Sequence, residues 1–176
     1  MTIKVNYTKE KGLVQELDAT GEGGFLVQGT EIGKKKVELI EANITLTAND
    51  TNKIFRVRNN NKTILLPEPS ADLEGVIYKF VADADMTNTT TIKSVDNTAG
   101  IFVGSIIAID DNTTNATAAD QNSSIVFNKN NPAVAGESNS KRGDFVEITC
   151  LNTSGVGGTK WTLFGVCFGT KSIYFS

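Results

Sequence analysis

The chain contains no histidine and has only two cysteines in 176 residues. Histidine is the commonest general base and metal-binding side chain, so its absence removes the catalytic arrangements in which an imidazole activates serine or cysteine. We therefore expect neither catalytic residues nor a metal or cofactor site. Cys150 and Cys167 lie in apolar runs that alternate as strands do, and we expect two buried free thiols and no disulfide.

The chain also lacks a dominant charge and a long apolar run. It has 17 Lys and Arg against 20 Asp and Glu, and the resulting net charge of -3 lacks the basic excess of nucleic-acid binding proteins. The longest apolar runs, 101–109 and 163–168, fall far short of the roughly 20 residues of a membrane helix. The polar N-terminus has no apolar stretch typical of a secretory signal peptide. We expect a protein made in the cytoplasm that binds neither nucleic acid nor membrane.

Uncharged polar residues take the place of the missing charge and apolar bulk: the chain has 21 Thr, 17 Asn and 10 Ser. Apolar residues recur with a period close to two, in short runs separated by Asn, Asp, Gly and Thr, which predicts strand after strand and no long helix. We predict an all-β protein: an antiparallel β-sandwich or jelly-roll-like domain at 43–176, with an extended N-terminal arm at 1–42. Asn59, Asn60 and Asn61 predict a tight hairpin between strands at 53–58 and 63–66. The stretches 110–121 and 128–142 have the composition of loops.

One predicted strand, at 160–168, is apolar on both faces. Trp161, Leu163 and Cys167 share one face, and Phe164, Val166 and Phe168 share the other. Such a strand lies either between two layers or against another subunit. The second alternative predicts self-association through Phe164, Val166 and Phe168.

Few motifs carry chemistry. Asp83 with Asp85, and Asp110 with Asp111, are the carboxylate pairs with the chemistry to hold Ca²⁺ or act on glycans, but neither fits the EF-hand spacing. We interpret them as solvated turn acids. No segment matches the phosphate-binding glycine motifs or the nucleophile elbow.

Basic residues cluster at two places, Lys34-Lys35-Lys36 and Lys141-Arg142. Short basic clusters usually form solvated faces, and the alternative is docking onto an acidic partner surface.

The segments ITLTANDTNKIFRV, NNKTILLPEPSADLEGVIYKFVADADMTNTTTIKSV and GDFVEITCLN...KWTLFGVCFG share an order of features. A Thr-alternating strand is followed by an Asp-Thr-x-Lys turn, a strand ending in Leu-Pro, a Pro-rich bend and an aromatic strand. A Gly-Asp-x-Val strand and a strand with Trp that ends in Gly close the chain. This order resembles the β-domain of tailed-bacteriophage head decoration proteins, the capsid cement and head-fibre proteins. The leader KGLVQELDATGEGGFLV is similar to theirs as well.

The resemblance implies a non-enzymatic virion protein that decorates and stabilises the outer surface of a capsid. Its partner would be the major capsid protein, which it would bind as a homotrimer through many repeated contacts. The N-terminal arm would add a strand to a capsid edge or lie along a groove. Candidates for capsid docking or self-assembly are Phe25, Lys34, Lys35, Lys36, Phe164, Val166 and Phe168.

Two other functions remain open at the level of sequence. The first is a tail-fibre or receptor-binding module whose loops at 110–121 and 128–142 contact host glycans. The second is a glycan-active β-sandwich enzyme that uses Asp83 and Asp85, or Asp110 and Asp111.

Overall fold

The computed structural model describes residues 5–8, 12–15, 35–58, 61–96, 100–109, 114–122, 124–128, 139–153, 158–169 and 173–175. The chain divides into two compact units, Met1–Lys35 and Lys36–Ser176. In the first unit, strands β1 (Val5–Thr8) and β2 (Gly12–Gln15) form an antiparallel pair.

The second unit is built from two sheets. Its strands, in chain order, are β3 (Val37–Ile40), β4 (Ile44–Thr45), β5 (Ile54–Val57), β6 (Thr63–Leu66), β7 (Ile77–Ala82), β8 (Thr90–Ser94), β9 (Phe102–Ile109), β10 (Thr114–Asn122), β11 (Ser124–Phe127), β12 (Phe145–Thr153), β13 (Gly158–Phe168) and β14 (Ile173–Phe175). The seven-stranded sheet has the order β10-β9-β13-β12-β7-β5-β3, and the five-stranded sheet has the order β14-β11-β8-β6-β4. Two short 3-10 turns, Ala48–Asp50 and Ala71–Leu73, are the helical elements of the described residues.

From β3 to β8 the chain alternates between the two sheets. Strands β3, β5 and β7 pair in parallel in the seven-stranded sheet, and β4, β6 and β8 pair in parallel in the five-stranded sheet. This winding is that of a short β-helix, in which each coil contacts its neighbours. The coils have unequal length, since Val37 pairs with Ile54 and Ile54 pairs with Lys79.

The all-β prediction is confirmed, but the antiparallel prediction is wrong for this first half. Here the four pairs named above are parallel, and β9 also runs parallel to β13. The predicted hairpin at Asn59–Asn61 is wrong as well, because β5 and β6 lie in different sheets. Asn61 does adopt a left-handed conformation, with φ of 50°, but at a crossing between sheets. Most of the predicted loop at 110–121 is strand β10, paired with β9.

Side chains of both sheets contribute to one hydrophobic cluster. The rings of Phe55 and Phe80 stack at 5.4 Å between centroids, and those of Tyr78 and Trp161 lie 5.4 Å apart at a tilt. The Trp161 indole N–H donates a hydrogen bond to the carbonyl oxygen of Pro67 at 3.1 Å, so the closing strand is tied to the Leu-Pro strand end. The Tyr78 hydroxyl also donates to a backbone carbonyl, and burial raises the pKa of Tyr78.

The two cysteines of the chain, Cys150 and Cys167, are both buried and do not form a disulfide, as the sequence predicts. Burial raises the pKa of the Cys150 thiol, which keeps it protonated at neutral pH. It therefore behaves as a small core side chain.

A buried carboxylate holds the turn before β12. Asp144 is fully buried, and its Oδ2 accepts the backbone N–H of Lys141 at 2.9 Å. Its Oδ1 accepts the backbone N–H of Phe168 at 2.8 Å, at the end of β13. The aspartate of the Gly-Asp-x-Val segment thus fixes the turn that carries Arg142 and Gly143 against the sheet.

Candidate functional site

The outer face of the seven-stranded sheet, the face directed away from the shared core, carries the most distinctive surface of the described residues. Residues of its central strands alternate between buried and partly exposed positions. In β13, Trp161, Leu163 and Cys167 are buried, whereas Phe164 and Phe168 are exposed, as the sequence predicts. The alternation is the direct result of the two-residue repeat of a strand.

Six apolar side chains on β9, β12 and β13 form a continuous surface on this face, which we call the apolar patch. Its members are Ile107, Ile109, Phe145, Phe164, Val166 and Phe168. Ile109 lies opposite Phe168, and Val166 lies between Ile107 and Phe145 in adjacent strands. The rings of Phe145 and Phe164 meet edge to face at 6.4 Å.

Two phenylalanines of the apolar patch are unusually exposed. Phe164 and Phe168 are 49% and 50% accessible, and Ile109 beside them is 41% accessible. At the border of the patch, the Lys79 ammonium lies 4.6 Å from the centroid of the Phe145 ring and 4.0 Å from the Glu147 carboxylate. A contiguous exposed apolar surface with a polar rim is typical of a protein contact site.

A groove of about 650 Å³ lies on the same outer face, where β5 and β7 end. We call it the arginine groove. Its lining includes the aliphatic residues Val37, Ile54 and Val81, which we call its floor, and the charged residues Arg56, Arg58, Asp83 and Arg142. The lining therefore combines three arginines with one carboxylate, in a chain whose overall charge is negative.

Asp83 binds two of these arginines at once. Its Oδ1 accepts from Nε of Arg56 at 2.9 Å and from Nη2 of the same residue. Its Oδ2 accepts from Nε and Nη2 of Arg58 at 3.2 and 3.1 Å. The hydrogen bonds from Arg56, and then those from Arg58, hold the pKa of Asp83 below its ordinary value.

Asp85 is also engaged. Its carboxylate accepts the backbone N–H of Arg142 at 3.1 Å and pairs with the Lys141 ammonium at 3.3 Å. The backbone N–H of Arg142, and then Lys141, lower the pKa of Asp85. Both acids thus stay ionised at neutral pH, whereas a glycosidase needs one carboxylic acid that holds its proton. This environment argues against the glycan-active alternative at Asp83 and Asp85.

The apolar patch and the arginine groove adjoin each other. Val81 of β7 lies opposite Phe145 of the patch on one side and opposite Arg56 of the groove on the other. One row of paired residues across the sheet therefore runs from Val166 through Phe145 and Val81 to Arg56. The outer face is apolar at one end of this row and basic at the other.

The predicted docking residues fall into three groups. Phe164, Val166 and Phe168 lie together on the outer face, and their role in assembly stays a prediction. Lys35 and Lys36 are exposed just before β3, and the groove receives the neighbouring Val37 from this strand. Phe25, Lys34 and the acids Asp110 and Asp111 lie outside the described residues.

The arginine groove was not predicted from the sequence. Phe55-Arg56-Val57-Arg58 shows the alternation of core and surface, and the structure bears out that alternation. The partner that orients the two arginines is 27 residues from Arg56 and 25 from Arg58 in the chain. The Lys141-Arg142 cluster was the available signal, and it points to the correct turn.

Comparison with protein-family models, with curated proteins and with solved structures finds no match to this chain. Within the described ranges, no group of three or more metal-binding side chains comes together. Over the same ranges, none of the helical elements has the length and apolar character that a membrane crossing requires.

Proposed function

We propose that this protein is a structural component of a phage virion, which decorates and stabilises the outer surface of the capsid by binding the shell of major capsid protein. The observation that carries this proposal is the outer face of the seven-stranded sheet, on which the apolar patch suits contacts between copies and the surface beyond it is open to the capsid. The resemblance of the strand motifs to head decoration proteins supplies the identity of the partner. The two-sheet, sandwich-like body offers a broad face for such a contact and requires no catalytic group.

The physical case for a contact begins with exposure. Phe164 and Phe168 each leave about half of their surface in water, and Ile109 lies beside them. Exposed apolar surface contributes to stability only when it is covered. Covering it in a complex contributes roughly 25 cal/mol per Å². Copies joined through this patch would bind the shell at several points at once, which converts a modest affinity for each point into firm attachment.

The same patch accounts for self-association. In a homotrimer each pairwise interface joins two different surfaces of adjacent copies, and only side chains close to the threefold axis meet their own copies. In this arrangement Phe164, Val166 and Phe168 lie at the contact between copies. The face beyond them, toward the arginine groove, stays open to the capsid.

The alternative of a glycan-binding tail fibre receives less support. One of the two loops assigned to glycan contact, 110–121, contributes strand β10 to the seven-stranded sheet. Backbone groups paired with β9 are not available to hydrogen-bond a saccharide.

Copy number per particle tests the proposal. Purified virions are analysed by quantitative mass spectrometry, with the major capsid protein as the internal reference. Hundreds of copies, in a simple ratio to capsid subunits, are the expected result. A few copies or a few tens would point to a tail fibre, and absence from the particle would refute both functions.

A further inference from the structure

We propose that the arginine groove is a binding site for acidic side chains of a partner protein, in which a carboxylate lies between Arg58 and Arg142 and an apolar neighbour contacts the groove floor. The identity of that partner as the capsid shell rests on the proposed function. The binding chemistry does not, because it follows from the geometry of the groove alone.

The arginines of the groove offer more hydrogen-bond donors than Asp83 uses. A guanidinium carries five N–H groups, and Asp83 accepts from only Nε and Nη2 of Arg56 and of Arg58. Among the described residues, the other N–H groups of both arginines have no acceptor, so they remain for a second one. Both side chains are accessible to it, at 44% for Arg56 and 48% for Arg58.

Asp83 holds the two arginine side chains in place before a ligand binds. The Asp83 side chain is only 17% accessible, and each of its oxygens accepts from one arginine. Two long side chains are thereby held in one orientation before any ligand arrives, which removes much of the entropy cost of binding. Asp144 holds the turn that carries Arg142, so the third arginine also comes from an anchored segment.

The groove carries an excess of positive charge. Its lining has three arginines and one carboxylate, and the excess remains when the neighbouring Asp85 is counted together with its partner Lys141, on a chain of net charge -3. Arg58 and Arg142 are the groups that a second carboxylate would approach most readily. Arg58 binds Asp83 at 3.1 and 3.2 Å, longer than the 2.9 Å from Nε of Arg56, and among the described residues no hydrogen bond joins Arg142 to Asp83. Arginine binds carboxylates through paired N–H groups, so the preferred ligand is a planar anion such as a glutamate or aspartate side chain.

The hydrogen-bonding groups and the aliphatic floor of the groove favour a protein ligand over a glycan. Sugar hydroxyls both donate and accept hydrogen bonds, whereas arginine only donates, and both oxygens of Asp83 are already engaged. The floor is formed by aliphatic side chains, including Val37, Ile54 and Val81. Val81 also connects the groove to the apolar patch through Phe145. Such a surface fits an acidic residue flanked by apolar ones, as on a protein surface.

A peptide titration tests the groove without a capsid. The probe is a short synthetic peptide of alternating glutamate and leucine, and its control is the same peptide with glutamine in place of glutamate. Binding to the full chain is followed by NMR through the arginine Nε–H signals at low salt. We expect the glutamate peptide to bind about tenfold or more tightly than the glutamine peptide, and added salt to weaken it.

A pair of charge-matched double variants identifies the site. R58A/R142A removes two groove arginines and leaves Asp83 paired with Arg56, so the fold is retained. K62A/K93A removes two positive charges elsewhere on the surface. We expect R58A/R142A to weaken the glutamate peptide about tenfold or more and K62A/K93A to leave it within about twofold. Equal affinity for the two peptides, equal loss in the two variants, or tighter binding of polygalacturonate than of the peptide would overturn the proposal.

Co-sedimentation with capsids that lack this protein separates the two proposals. If the wild-type chain does not bind such capsids while the peptide result holds, the capsid function fails and the acidic-ligand site stands. If the wild-type chain binds and R58A/R142A binds equally well, the capsid function stands and the groove is not its contact. The expected result is binding by the wild type and about a tenfold loss in R58A/R142A.

Discussion

Replacement of the two most exposed phenylalanines of the apolar patch by serine, in the double variant F164S/F168S, should abolish self-association and leave the fold intact. A phenylalanine offers about 150–250 Å² of surface, so half exposure leaves about 100 Å² on each of Phe164 and Phe168. Covering both in a contact would contribute at most about 5 kcal/mol per protomer. Their loss should therefore weaken the association constant by up to about four-thousandfold.

Sedimentation velocity over a dilution series measures this effect. The wild type should sediment as an oligomer at high concentration, and F164S/F168S should sediment as a monomer with an unchanged far-ultraviolet circular dichroism spectrum. V95S is the matched control, because Val95 is 47% accessible but lies next to β8 of the other sheet. A wild type that is monomeric at every concentration, or a double variant that assembles as V95S does, would refute the reasoning.

Three further predictions concern the stability of the site. D144A should lower the free energy of unfolding by about 2–5 kcal/mol, because two backbone N–H groups lose a buried acceptor, while D85A should cost about 1 kcal/mol or less. Urea unfolding followed by fluorescence of Trp161, the single tryptophan, compares the two variants, and equal losses would contradict the role of burial. The pKa values of Asp83 and Asp85 are lowered, so the ionised form of each carboxylate stabilises the fold at pH values above the ordinary carboxyl pKa of about 3.9. This stabilisation is lost as the pH falls through the lowered pKa values. The urea midpoint should drop between pH 5 and pH 2 (about the range in which such groups titrate), and D83N should drop less than the wild type; equal drops would be inconsistent with this account. G104A should destabilise the protein by at least about 3 kcal/mol in the same assay. Gly104 has φ of 147°, and an added Cβ would lie 2.0 Å from the carbonyl oxygen of Leu163 in β13. A G104A variant as stable as the wild type would show that β9 and β13 can separate locally.

The position of strands and the direction of their faces could be predicted from the sequence because both depend on neighbouring residues. The alternation Trp161, Leu163 and Cys167 against Phe164 and Phe168 needs only the two-residue period of a strand. The structure buries the first three and exposes the last two. The two cysteines are buried for the same local reason.

The pairing of strands could not be predicted in this way. A two-residue period says which face of a strand is apolar, and it says nothing about which strand lies beside it. Three asparagines between two short strands favour a hairpin, and the same residues also suit a crossing from one sheet to the other. The structure uses the crossing, so β5 pairs with β7 and not with β6. Strand β10 is predicted as a loop from the sequence because its Thr, Asn and Ala residues have the composition of a loop.

The arginine groove depends on that unpredicted pairing. Arg58 directly follows β5 and Asp83 directly follows β7, and the N–H of Asp83 donates to the carbonyl oxygen of Val57 at 2.8 Å. Because the two strands are parallel, their carboxyl ends meet at the same edge of the sheet. In an antiparallel pair these two residues would lie at opposite ends, and Asp83 would orient neither arginine.

The same winding explains why the groove and the apolar patch share one face. Strand β7 pairs in parallel with β5 on one side and antiparallel with β12 on the other, so it forms the boundary between the wound half of the sheet and the half made of β12, β13, β9 and β10. Val81 at this boundary contacts both halves in register, with Arg56 on one side and Phe145 on the other. A partner that covers the outer face must therefore offer apolar groups next to acidic ones. Loss of peptide affinity without loss of assembly in R58A/R142A, together with loss of assembly without loss of peptide affinity in F164S/F168S, would show that the arginine groove and the apolar patch serve different contacts.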